Sequence, residues 1–348
     1  MSEKKGKVLC LDDEPNISRA LQWLLQKDFD VVASNSPREA LALLREHDFD
    51  VLISDQRMPE MTGVEFLREA RRITPRSMRI LLTGYSDLQA ILRSVNESEI
   101  YRFINKPWNI SELPKVVEQA AQISRTQPVE LPEPEMTEET PIRLTGDECV
   151  LLIDDDLSMR DVVRDAVSDG VRFRHAQNLG EAITILNEQR VSVIVSETRV
   201  GSIDATRLIS IMKQKSPEII SVMLSAEADA DMVSSLINEG QIYRFVPKPV
   251  RAGYLKLVIN SGLVKHRRLV ETPGLVRRYT VNQLADDKLA ALMEDVRKVV
   301  STLKPSTTAS PTPVVGGASK PSARTSKVQE SDHSVLGRVS AGLKRLFG

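Results

Sequence analysis

The chain has 348 residues, 41% of them hydrophobic and 27% charged, with a formal net charge of −1. That length allows two or three domains, and the balanced charge excludes a polyanion-binding protein of globally basic type. No apolar run approaches the ~18–20 residues that cross a bilayer, and the lysine-bearing N-terminus lacks the long apolar stretch of a secretory signal, so a cytoplasmic location is expected. Cys10 and Cys149 lie in or beside apolar runs and read as small core residues rather than a disulfide or metal pair.

Residues 5–124 alternate short Val/Ile/Leu runs (8–11, 51–53, 79–82, 101–104) with segments of helical period. The runs are too short for helices and suit buried parallel strands. Among the helical segments, "PNISRALQWLLQK" and "SPREALALLREHD" stand out, the second opening with Ser36 as cap and Pro37 as first helical residue. Five strands alternating with five helices predict a doubly wound α/β fold with a five-stranded parallel sheet. Residues 125–146, rich in Pro and Glu, read as an extended linker. Residues 147–268 then repeat the first unit. An offset of 142 residues, without a gap, carries "VLCLDDE" onto "VLLIDDD", "VLISDQR" onto "VIVSETR", "ILLTGYS" onto "VMLSAEA" and "YRFINKPW" onto "YRFVPKPV".

Beyond the repeat, residues 281–304 place Ala285, Leu289, Leu292, Val296, Val299 and Leu303 at spacings of four and three. That seam serves either a homodimer through a coiled coil or packing on the second domain. Residues 305–333 have the composition of a disordered linker. Residues 334–348 gather Val335, Leu336, Val339, Leu343, Leu346 and Phe347 on one side of a helix, with Arg338, Lys344 and Arg345 elsewhere. Such a basic amphipathic segment suits an anionic membrane surface or a partner's groove. The basic stretch 266–284 is broken by Pro273-Gly274 and offers no helix-turn-helix, so nucleic acid is not the expected partner.

In doubly wound sheets the working residues lie beyond the carboxyl ends of the strands. In the first unit those positions hold Asp12 and Asp13, Asp55, Thr83, and Lys106-Pro107. Three carboxylates brought together call for a hard divalent cation such as Mg²⁺. A carboxylate beside that ion and an ammonium can attack a phosphoryl group.

The motifs "LDDE", "ISDQRMPEMTG", "LLTGYS" and "YRFINKPW" closely resemble the receiver domain of bacterial two-component response regulators, over essentially all of residues 5–124. The resemblance implies Asp55 as phosphoacceptor, Mg²⁺ held by Asp12, Asp13 and Asp55, and Thr83 and Lys106 on the phosphoryl group. It also implies a cis peptide bond before Pro107 and an aromatic switch residue, Tyr101, coupled to Thr83. In the second unit the counterparts are Asp154, Asp155, Ser225 and Lys248, but the acceptor position is Glu197. One extra methylene moves the carboxylate by about 1.5 Å, and misplacement on the order of 1 Å is costly in an aligned transfer. The second unit therefore reads as a degenerate receiver. Either Glu197 merely fills space, or it reaches toward Ser225 and Lys248 and holds an active-like state; a third alternative is phosphorylation of Glu197 itself.

No output enzyme is recognisable. The expected function is that of a response regulator phosphorylated on Asp55 by a histidine kinase or phosphotransfer protein, signalling through contact with a downstream protein. Two alternatives stand beside it: a phosphorelay intermediate or phosphate sink, and a scaffold anchored through residues 334–348.

Overall fold

The computed structural model describes residues 5–84, 92, 96, 99–128, 144–226, 230–279 and 294. The calls for a seam helix at 281–304, a disordered stretch at 305–333 and a basic segment at 334–348 lie outside the described residues, Glu294 excepted, as does most of the linker.

In the first unit, β1 (Lys7–Leu11), β2 (Asp30–Ser34), β3 (Val51–Asp55), β4 (Met78–Thr83) and β5 (Arg102–Asn105) form one sheet in the order β2-β1-β3-β4-β5. Every pairing is parallel. Helices α1 (Pro15–Leu25), α2 (Pro37–Glu46), α3 (Gly63–Ile73) and α4 (Leu113–Thr126) connect and cover it, with Leu92 and Asn96 helical between β4 and β5. The central strands β1, β3 and β4 are buried almost throughout, which is why they read as continuous apolar runs rather than alternating ones. Pro37 opens α2 as the composition predicts. The Ser36 side chain, however, makes no capping bond; the Ser34 hydroxyl takes up the Ser36 carbonyl instead.

The second unit repeats this plan. β6 (Cys149–Ile153), β7 (Arg172–Ala176), β8 (Val193–Glu197), β11 (Ile220–Ser225) and β12 (Arg244–Pro247) pair in parallel in the order β7-β6-β8-β11-β12. Its helices are α5 (Leu157–Ala166), α6 (Leu179–Glu188), α7 (Thr206–Lys215), α8 (Ala230–Gly240) and α9 (Ala252–Glu271). An addition without counterpart is a small antiparallel hairpin, β9 (Arg199–Val200) and β10 (Ile203–Asp204), directly after β8. Helix α9 runs past residue 268 to Glu271, and a 3₁₀ turn, Pro273–Tyr279, follows. Cys10 and Cys149 are free and buried in their central strands.

The two units pack together. Helix α8 of the second lies on β5 of the first. One apolar cluster takes in Ile100 and Phe103 on one side and Ile237, Ile242 and Phe245 on the other.

Candidate functional site

The sheet order reverses at β1, which neighbours both β2 and β3, so a cleft opens at the carboxyl ends of these strands. Asp12 follows β1, Asp55 ends β3, Thr83 ends β4 and Lys106 follows β5. Lys106 Nζ lies 2.5 Å from Asp55 Oδ1 and 2.8 Å from Asp12 Oδ2. Asp12 is fully buried and Asp55 nearly so. The second oxygen of each carboxylate accepts a backbone amide: Glu14 N–H at 3.0 Å for Asp12, Arg57 N–H at 2.6 Å for Asp55.

Burial pushes the Asp12 carboxyl above its usual range, and the Asp55 charge adds to this while Lys106 opposes it. Burial also works against the Lys106 charge, but its hydrogen bonds to Asp12 and Asp55 outweigh that and raise it. Burial thus disfavours charge on both Asp12 and Lys106, and their mutual contact opposes it. The oxygen donors of Asp12, Asp13 and Asp55 are of the type Mg²⁺ takes. Among the described residues, though, no group of three or more acidic, His or Cys side chains is already arranged closely enough to hold a metal, and Lys106 bonds both Asp12 and Asp55.

The loop after Asp55 is fitted tightly. Gly63 opens α3, and a Cβ there would meet the Asp55 carbonyl oxygen at 2.1 Å. Gln56 Oε1 accepts the Val64 N–H (3.2 Å), and Thr62 and Glu65 form a reciprocal capping box. The Thr83 hydroxyl donates to the Gly84 carbonyl at 3.1 Å. Tyr101 is buried, with the Arg102 guanidinium 4.1 Å from its ring centre. The Lys106–Pro107 peptide is cis, as is Lys248–Pro249.

In the second unit Lys248 Nζ lies 2.6 Å from Glu197 Oε2 and 3.0 Å from Asp154 Oδ2. Asp154 is raised chiefly by burial, as Asp12 is. The differences sit around Glu197, the residue in register with Asp55. Glu197 Oε1 takes the amide of Thr198, one residue on rather than two, and also the Thr198 hydroxyl at 3.0 Å. That hydroxyl is also 3.0 Å from Ser225 Oγ. Glu197 thus meets Lys248 directly and Ser225 through Thr198. Asp155 Oδ2 accepts the Gly201 N–H (3.1 Å) from the tip of the β9–β10 hairpin. Thr198 and this hairpin escape sequence reasoning; the only hint is the replacement of "RMPEMTG" by "RVGSIDA".

A second missed feature lies between the units. Glu99, the residue before Ile100, is buried against Arg71 (2.9 Å), Lys265 (3.4 Å), Arg79 (3.9 Å) and Arg278 (4.0 Å). Burial opposes its charge, but Lys265, Arg71 and Arg244 overcome this and lower its pKa to about 2.

The family model described as "Response regulator receiver domain" matches residues 8–118 and again 150–260. The hydrogenase transcriptional regulatory protein HoxA of Cupriavidus necator is 42% identical over 127 residues, 36% of this chain and 26% of its own length. HoxA of Bradyrhizobium diazoefficiens is 36% identical over 123 residues, 35% of this chain and 25% of its own. The chain therefore spans about a quarter of the length of these relatives. Among solved structures, the signal receiver domain of an HD domain-containing protein from Pseudomonas fluorescens Pf-5 is 34% identical, covering 35% of this chain and 98% of that one, with a TM-score of 0.34. With both repeats matched over nearly their whole sheets, the chain belongs to the response regulator receiver family and carries its domain twice.

Proposed function

We propose that the first receiver is a phosphorylatable switch and that the second does not turn over. The observation that carries this is the convergence of Asp12, Asp55 and Lys106 at the switch point, with Lys106 Nζ on both carboxylates. An Asp55 oxygen attacks the donor's phosphorus and forms an acyl phosphate, while the donor's bond to phosphorus breaks and its imidazole or acetate leaves. Lys106 shifts onto the transferring oxygens, and the Thr83 hydroxyl turns to them. Asp12, Asp13 and Asp55 would hold Mg²⁺, which when bound neutralises charge on those oxygens. The donor is a histidine kinase or phosphotransfer protein, and the output is contact with another protein.

For the second receiver, three features support silence. Glu197 is the longer acid, its second oxygen is held by both the amide and the hydroxyl of Thr198 where Asp55 takes only the Arg57 amide, and Asp155 is bonded to the hairpin amide. The link from Glu197 through Thr198 to Ser225 favours a fixed, active-like arrangement over simple space filling.

Incubation with acetyl phosphate and Mg²⁺, read by intact mass, tests the first half. One phosphoryl adduct is expected in the wild type and none in Asp55→Asn. An undiminished adduct in Asp55→Asn defeats the proposal.

A further inference from the structure

The two receivers meet through a reciprocal exchange. Asn238 on α8 donates from Nδ2 to the Phe103 carbonyl (2.9 Å) and accepts the Phe103 N–H at Oδ1 (2.8 Å). Its counterpart by the 142-residue register, Asn96, does the same to Phe245, at 3.1 Å for both bonds. Phe103 and Phe245 sit on β5 and β12, the edge strands of their sheets. A carboxamide offers one donor and one acceptor, so each asparagine satisfies an exposed edge peptide as a neighbouring strand would. The Gln241 side chain adds a bond from Nε2 to the Tyr101 carbonyl (3.1 Å). The joint is thus a pseudo-twofold pairing inside one chain.

Its ion pairs break the symmetry. Glu99 corresponds to Gln241, and Lys265, which pairs with Glu99, corresponds to Ile123. Pairing two first receivers would set Glu99 against Ile123. Pairing two second receivers would set Lys265 against Gln241. Either would forgo the Glu99–Lys265 pair and leave a buried charge with one partner fewer, which is strongly unfavourable. The charge pattern accordingly selects the unlike receiver.

This joint also leads to the chemistry. Phe103 is clamped from outside, and three residues on, past Ile104 and Asn105, the same strand delivers Lys106 to Asp55. We propose that the β5 face of the first receiver is built for the chain's own second receiver, and that closure of this joint and phosphorylation of Asp55 favour each other, with Asn238 as the positioning residue. The coupling rests on Asp55 being the acceptor. Coupling of this kind is reciprocal: if a closed joint favours the phosphorylated state, phosphorylation must tighten the joint.

The test uses the full chain with acetyl phosphate and Mg²⁺, measuring the steady-state phosphorylated fraction and amide hydrogen exchange. In Asn238→Ala the ratio of phosphorylated to unphosphorylated chain should fall about fivefold or more, within the usual range of such couplings. Asn238→Asp, which turns a carboxylate oxygen onto the Phe103 carbonyl, should lower it at least as far. In the wild type, phosphorylation should slow exchange in the 242–247 strand of the second receiver, an effect that needs no variant to fold and that a purely structural asparagine would not produce. No wild-type adduct would overturn the acceptor reading and the coupling with it. An adduct whose level is indifferent to Asn238→Ala, with exchange in 242–247 indifferent to phosphorylation, would overturn the coupling alone.

Discussion

The Glu197 carboxylate meets the Lys248 ammonium at 2.6 Å, almost the 2.5 Å that separates Asp55 from Lys106 in the other receiver. The extra methylene has not broken the acid–lysine contact. It has displaced the other oxygen, which leaves the amide two residues on and turns to Thr198. A similar ion pair therefore sits in two differently finished sites, and on the function proposed above the finish separates the working site from the silent one.

The first consequence concerns Mg²⁺. Asp155 is bonded to the Gly201 amide, so an ion entering the second site must break that bond. Titration calorimetry on the full chain should find one Mg²⁺ site. Asp13→Asn should weaken it on the order of tenfold or more, the scale on which even supporting residues of metal sites act. Asp155→Asn should leave it unchanged. Equal weakening by both substitutions would contradict the account.

A second consequence is steric. A Cβ on Gly63 would lie 2.1 Å from the Asp55 carbonyl oxygen, a backbone atom held in β3, so helix α3 must move to admit it. Gly63→Ala should cost about 2 kcal/mol in urea unfolding, within the range for overpacked sites, and should slow phosphorylation. The second receiver already carries Ala205 at this register and has rebuilt the preceding loop as a hairpin. There the matching experiment, Ala205→Gly, should leave phosphorylation unchanged.

These sites show what the sequence disclosed and what it hid. A gapless repeat with strand-length apolar runs was enough for two five-stranded sheets, because buried parallel strands impose continuous hydrophobicity. The strand-end rule likewise brought Asp12, Asp55 and Lys106 together, and Asp154, Glu197 and Lys248 in the copy. The hairpin at 199–204 stayed hidden because two-residue strands carry no periodicity. Glu99 reads as a surface acid beside a strand, since the lysine that helps bury it lies 166 residues away. Asn96 and Asn238 belong to none of the motifs that mark the site. Their only signal is that the shared string begins earlier than its aromatic core, with Asn-Glu at 96–97 and 238–239.

Glu99 gives a pH dependence of definite sign. Its folded pKa is lowered to about 2 from an ordinary value of 4.5, by Lys265, Arg71 and Arg244 working against burial. Its contribution to stability is therefore fully present above about 4.5 and is lost as pH falls toward 2. Glu99→Gln should destabilise the protein at neutral pH by about 3 kcal/mol, as removal of one partner from a buried ion cluster does. The variant should also show a shallower loss of stability between pH 4.5 and 2. Denaturation curves across that window would contradict this if the two slopes coincide.

The central claim, one working receiver beside one that does not turn over, is tested most directly by locating the phosphoryl group. The full chain is incubated with Mg²⁺ and acetyl phosphate, the acyl phosphate is trapped by reduction, and the peptides are mapped by mass. The account predicts modification at Asp55 and an unmodified peptide around Glu197. Modification at Glu197, alone or alongside Asp55, would contradict it.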